Sequence, residues 1–126
     1  MATPEQVQAA VNAYATAVTQ GDKDAFLAVF APDAVWHDPV GAPPHEGHDG
    51  IAAFWGTMHE MASDIRAEPE DVVVCGDEAA VQMRITAGNS DGAMTFVATE
   101  IFTVADDGRI TLLKAYWDMT RAVPAD

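Results

Sequence analysis

The 126 residues carry six Lys plus Arg against twenty Asp plus Glu, a formal charge of −14 with a pI of about 4.2. A chain of this length suits one domain, residues 1–126, burying roughly two-thirds of its unfolded surface, and its 49% hydrophobic content is too high for an acidic disordered tail. The negative balance argues against nucleic acid and anionic membranes as partners, since both would be repelled. No apolar run approaches a membrane span, and Met1-Ala2-Thr3-Pro4-Glu5 lacks the basic and apolar regions of a signal peptide. A cytoplasmic protein is therefore expected. The single cysteine, Cys75, permits no internal disulfide, and its neighbours Val72, Val73 and Val74 predict a packed strand thiol.

The first helix begins at Thr3, which offers an N-cap hydroxyl, with Pro4 at the first helical position and Gln6 as the capping-box partner. Val7, Val11, Tyr14 and Val18 recur on one face, and Gly21 closes the segment. Asp22 caps a second helix that points Phe26, Leu27 and Phe30 inward and ends at Pro32. A short edge strand is expected around Val35–Asp38. A third helix starts near Gly47–Asp49, with Ile51, Phe54, Trp55, Met58 and Met61 as its apolar stripe. After residue 64 the period changes to two, and Ile65–Cys75, Ala79–Ala87, Ala93–Ala105 and Ile110–Arg121 read as strands. Their short Gly- and Asp-rich separators demand antiparallel neighbours. The fold class is α+β, a curved antiparallel sheet with three N-terminal helices over its concave face. Apolar residues such as Val97 and Ile101 on the outer face predict a homodimer formed sheet to sheet.

Three residues break the apolar pattern. On the third of these long strands Met94, Phe96, Ala98, Glu100, Phe102 and Val104 share the more apolar face, and Glu100 sits among them. Either a bulge turns Glu100 outward, or it is a neutral carboxylic acid in an apolar pocket, acting as a hydrogen-bond donor. Asp38 precedes Pro39 in Trp36-His37-Asp38-Pro39-Val40-Gly41, where it is either a turn residue or a half-buried base. Tyr14 lies on the buried stripe of the first helix, where its hydroxyl either only finds a packing partner or serves the site. Taken together, a base, a phenol and a neutral acid point to proton transfer beside a stabilised oxyanion.

His37, His45, His48 and His59 match no helical metal motif, because Pro43-Pro44 and Gly47 make His45-Glu46-Gly47-His48 a loop; surface histidines and no metal are expected. No phosphate-cradling loop, nucleophile elbow or basic aromatic patch is present, and no cofactor is implied.

Several segments together resemble the Δ5-3-ketosteroid isomerases, within the nuclear-transport-factor-2-like (SnoaL-like) superfamily of cone-shaped α+β domains. They are Thr3-Pro4-Glu5, Tyr14, Gly21-Asp22, Phe26-Leu27-Ala28-Val29-Phe30-Ala31, Asp38-Pro39-Val40-Gly41, Gly50-Ile51-Ala52-Ala53-Phe54-Trp55, Glu100-Ile101-Phe102 and Lys114-Ala115-Tyr116-Trp117. The resemblance implies that Asp38 is the general base, that Tyr14 donates to the dienolate oxygen, and that Glu100 falls where the family has a protonated aspartic acid. Ketosteroid isomerases are the established instance of a carboxylic acid held neutral by its site, so that role is carried over from the family. Phe30, Phe54, Trp55, Met83, Phe96 and Trp117 would then line a pocket for a flat apolar substrate, a 3-ketosteroid. Two departures stand out. Glutamate replaces aspartate at position 100, changing the reach to the oxyanion, and Trp55 replaces a tyrosine that in some members supports the phenol. The expected activity is a cofactor-free steroid Δ5-isomerase. The alternatives are a polyketide-cyclase-like enzyme using Asp38 as acid–base, and a ligand-binding dimer module without turnover.

Overall fold

The computed structural model describes residues 1–125. Helix α1 spans Pro4–Gln20: Thr3 Oγ1 accepts from the Gln6 amide at 3.1 Å, and the Thr3 amide donates to Gln6 Oε1 at 2.9 Å. Gly21 ends the helix with φ of 65°, a conformation that glycine adopts without a Cβ penalty. The helix buries Val7, Val11, Tyr14 and Val18. Replacing Thr3 with Ala removes the cap and should cost about 1 kcal/mol, read as a lowered urea midpoint at unchanged slope.

Helix α2 spans only Lys23–Ala28, with the Asp22 side chain accepting from Ala25 N at 3.0 Å. Phe30 therefore opens a strand rather than riding on the helix, and Pro32 is not the stop. The Val29 carbonyl accepts from Ile110 N at 2.8 Å, which draws the chain into the sheet as β1, Phe30–His37. Pro32 falls where the β1 register shifts between Phe30 and Val35, an irregularity that tolerates a residue without an N–H. Strand β2, His45–Glu46, pairs with Val35–Trp36, and α3, Gly47–Met61, follows directly. The expected histidine loop is thus a strand running into a helix, and His48 Nε2 lies 2.9 Å from the Phe30 carbonyl. Met61 is 76% exposed and off the expected stripe, because this last helical residue overhangs β1, β2 and α2, the elements on which α3 packs.

Strands β3 (Asp64–Cys75), β4 (Glu78–Asn89) and β5 (Gly92–Val104) form the meander, and β6 spans Ile110–Tyr116. β6 stops short of Arg121 because the Asp118 side chain accepts from Thr120 N at 3.0 Å and closes a 3-10 turn over Met119–Arg121. Strand β7, Val123–Ala125, then returns to pair with Ala93–Thr95 of β5. The sheet order is β2-β1-β6-β5-β4-β3, antiparallel throughout except that β1 runs parallel to β6. A parallel pair needs a long crossover, and here α3 and the meander supply it.

Cys75 ends the edge strand β3 and is exposed. Strand parity explains the miss: Val72 and Val74 turn inward while Val73 and Cys75 face solvent. The outer sheet face carries Val97 at 40% and Tyr116 at 46% exposure. Among the described residues no helix is long and apolar enough to cross a membrane.

Candidate active site

Strand registers arrange the inner face of the sheet in rows. Trp36, Leu113, Phe102 and Ala79 form one row across β1, β6, β5 and β4, and all four are buried. One row on, Val81, Glu100 and Ala115 pair in turn, and Asp38 continues β1 opposite Ala115. The Val40 amide donates to the Ala115 carbonyl at 2.9 Å and fixes the segment after Asp38 against β6. Asp38 and Glu100 thus share a row two strands apart, about 10 Å between backbones, on a concave face that converges their side chains. The following rows pair Ala98 with Met83 and Phe96 with Ile85, and Trp117 comes just after the end of β6.

Glu100 is 3% exposed, so the parity reading holds: it faces the core and not solvent. Its Oε1 is buried without a hydrogen-bond partner. Burial, and secondarily the charge of Asp38, raise its pKa well above the ordinary glutamate value. Two buried carboxyls that face one another do not both ionise readily, and the fuller burial of Glu100 favours its protonated form over that of Asp38. Burial also pushes Asp38 up, to about 6, against the opposing effect of a hydrogen bond from Trp117 Nε1 to Asp38 Oδ1 at 2.6 Å. Tyr14 is held above the row by rings, with centroids 5.3 Å from Phe102, 5.5 Å from Phe26 and 6.3 Å from Phe30. Its phenol is raised well above 10, first by burial and then by Glu100 and Asp38. An unperturbed neutral phenol at neutral pH is a donor, and this one more firmly so.

The expected lining residues divide into two groups. Phe30, Met83 and Trp55 are buried in the main core, where Phe30 stacks edge-on against Tyr14 and Trp55 lies 4.6 Å from Phe26. Phe54, Phe96 and Trp117 are half-buried, with Phe96 and Trp117 packed on each other at 6.0 Å and Phe54 against Trp36 at 5.1 Å. Sequence reasoning treated Trp117 as lining alone and missed its bond to Asp38. The signal was available: Trp117 follows Ala115 by two and shares its inward face. It also gave no site role to His45, which stacks on Phe54 at 4.0 Å and 13°, while Trp36, read only as narrowing the cavity together with Trp55 and Trp117, is fully buried with Nε1 unpartnered. Grooves of about 370 and 450 Å³ lie along α1, lined by Asn12, Thr16 and Pro69 and by Glu5, Gln8 and Val74 respectively, apart from Tyr14, Asp38 and Glu100. Among the described residues no group of three or more His, Cys, Asp or Glu could hold a metal ion.

This architecture, a curved sheet closed by three helices over an inward acid pair, defines a class. The chain belongs to the SnoaL-like domain family, which matches residues 11–113, and to its steroid Δ-isomerase branch. It is 33% identical over 112 residues to the steroid Δ-isomerase of Nocardioides simplex, 89% of each chain. It also superposes on the Δ5-3-ketosteroid isomerase of a Mycobacterium species with a TM-score of 0.84 at 25% identity, covering 95% of this chain and 98% of that one. A candidate polyketide cyclase of Sinorhizobium meliloti superposes with a TM-score of 0.74 at 34% identity, covering 90% of this chain and 98% of that one.

Proposed function

We propose that the protein is a cofactor-free steroid Δ5-isomerase. The observation that carries the reading is the buried Glu100 carboxyl, its Oε1 without a hydrogen-bond partner, on the same sheet row as Asp38 and within electrostatic reach of Tyr14. Asp38, ionised above about 6, removes a proton from the carbon between the ketone and the double bond. The electron pair delocalises onto the ketone oxygen as a dienolate, and Tyr14 and Glu100 donate hydrogen bonds to that oxygen. Asp38 then returns the same proton to the far carbon, leaving the double bond conjugated with the ketone. Proton and electrons balance within one substrate molecule, so no redox partner is needed.

The test is the appearance of ultraviolet absorbance from the conjugated enone on mixing the protein with a 5-ene-3-ketosteroid. Turnover supports the reading, and binding without turnover moves the protein to a ligand-binding role. The likeness to the candidate cyclase favours one second reading, acid–base cyclisation by Asp38 on another ring system. That reading leaves Glu100 idle, so substitution of Glu100 separates the two.

Trp117 should tune the base. Its N–H stabilises the ionised form of Asp38, so Trp117→Phe should move the acidic limb of the kcat–pH profile above about 6. Activity at pH 7 then falls while the plateau at higher pH is largely kept. A uniform loss at every pH would assign Trp117 to packing alone.

A further inference from the structure

We propose that residues 117–125 form a strap that lifts off Asp38 to admit the substrate and recloses over it for the proton transfer. The proposal deepens the isomerase reading and rests on it for the identity of the substrate.

Burial sets the problem. Tyr14 and Glu100 are 4% and 3% exposed, and both must touch the ketone oxygen in the proposed reaction. Part of the wall around them therefore has to move before a fused ring system reaches them. The helices are held in place by the core, α1 through Val7 and Val11, α2 through Phe26 and α3 through Ile51, all fully buried. The strap, by contrast, contributes no fully buried residue, and its Met119 and Val123 are exposed. A segment that buries so little apolar surface opens at low cost.

Its attachments are few. The last pair between β5 and β6 at this end is Thr99 with Tyr116, and the next residue of β5 to pair is Thr95, with Val123 of β7. Residues 117–122 therefore pass Phe96, Val97 and Ala98 without strand pairing. β7 is three residues long, and its Pro124 has no N–H to donate. Among the described residues, one hydrogen bond joins the strap to the rest of the chain outside the β7–β5 pairing. It is Trp117 Nε1 to Asp38 Oδ1 at 2.6 Å, with the Trp117 ring 6.0 Å from that of Phe96. The other bonds are internal: Asp118 Oδ1 accepts from Thr120 N at 3.0 Å and from Thr120 Oγ1 at 2.7 Å, and the Asp118 carbonyl accepts from Arg121 N at 3.0 Å. They keep the turn intact as it moves, so the strap swings as a body about Tyr116. On closing, Trp117 returns its N–H to Asp38 and covers the base.

The experiment pins the strap with a reversible disulfide. Thr95 and Val123 face each other across β5 and β7, where a Cα separation of about 4.5–5.5 Å suits the bond. Cys75→Ser removes the exposed native thiol. In Cys75→Ser/Thr95→Cys/Val123→Cys the oxidised and reduced forms of one protein are compared, so the substitutions themselves cancel. Ala93→Cys/Ala125→Cys is the second pair if the first does not close. Without steroid, deuterium exchange of the Trp117 indole N–H, followed by NMR, should slow at least about tenfold on oxidation. With a conjugated 4-ene-3-ketosteroid, oxidation should slow association and dissociation together by at least about tenfold and leave Kd nearly unchanged. Reduction should restore both rates. Equal exchange in the two forms overturns the strap, and slowed exchange with unchanged steroid rates overturns its part in entry. A change in Kd without a matched change in both rates also overturns that part, making the segment a fixed wall. Steroid that binds neither form overturns the isomerase reading and the entry role together, while the exchange measurement still decides whether the segment lifts.

Discussion

Asp38→Asn is expected to lower kcat for enone formation by about 10³-fold or more, with a much smaller change in steroid affinity. The amide cannot accept the migrating proton, and a positioned general base contributes on the order of 10² to 10⁴ in rate. Asn can still accept the Trp117 N–H that now lies 2.6 Å from Asp38 Oδ1, so the geometry of the loop before Val40 should persist. A loss confined to kcat therefore reports the proton transfer itself. The wild-type profile carries a matching signature: kcat rises as pH increases through about 6, because only the ionised carboxylate is a base. A variant that retains turnover would remove Asp38 from the chemistry and leave the acid–base readings, isomerase and cyclase alike, without a base.

The sequence made some features legible because they were written in local pattern. Thr3, Pro4 and Gln6 announced a capping box that the fold contains, and alternation along β5 put Glu100 on the buried face. What stayed hidden depended on distant partners. Phe30 sits at helical spacing from Phe26, yet it is a strand residue because the Val29 carbonyl meets Ile110 N across the sheet. The same long-range pairing makes β1 parallel to β6, which short connections elsewhere in the chain gave no reason to expect. Parity along the last strand put Trp117 on the inward face, but its bond to Asp38 depends on β1 lying beside β6, a pairing the sequence did not show. Those contacts join residues some 80 positions apart, with no periodic trace in sequence. They are where tertiary pairing overrides local propensity.

Glu100 supplies the second large effect, because one substitution keeps its donor and another removes it. Glu100→Ala should reduce kcat by about 10² to 10³, the usual loss for one oxyanion donor, and should also destabilise the fold by leaving a void between Val81 and Ala115. Glu100→Gln keeps shape and an N–H donor, so it should retain at least about tenfold more activity than the alanine variant. Equal activities would take Glu100 out of the site and favour the cyclase reading. The same pair of proteins gives a pH test of stability. The folded pKa of Glu100 is raised above its ordinary 4.5, so the folded state holds the proton more tightly than the unfolded one. Its contribution is complete below about 4.5 and is lost as pH rises through the folded value. Gln does not titrate, so the stability of Glu100→Gln relative to wild type should climb with pH above that point. Asp38 acts in the same direction between 3.8 and about 6, but it is present in both proteins and largely cancels in the comparison. Urea midpoints at pH 5 and pH 9 measure the difference. A gap that does not widen with pH would mean that Glu100 is solvated and ionised at neutral pH, and so no donor to an oxyanion.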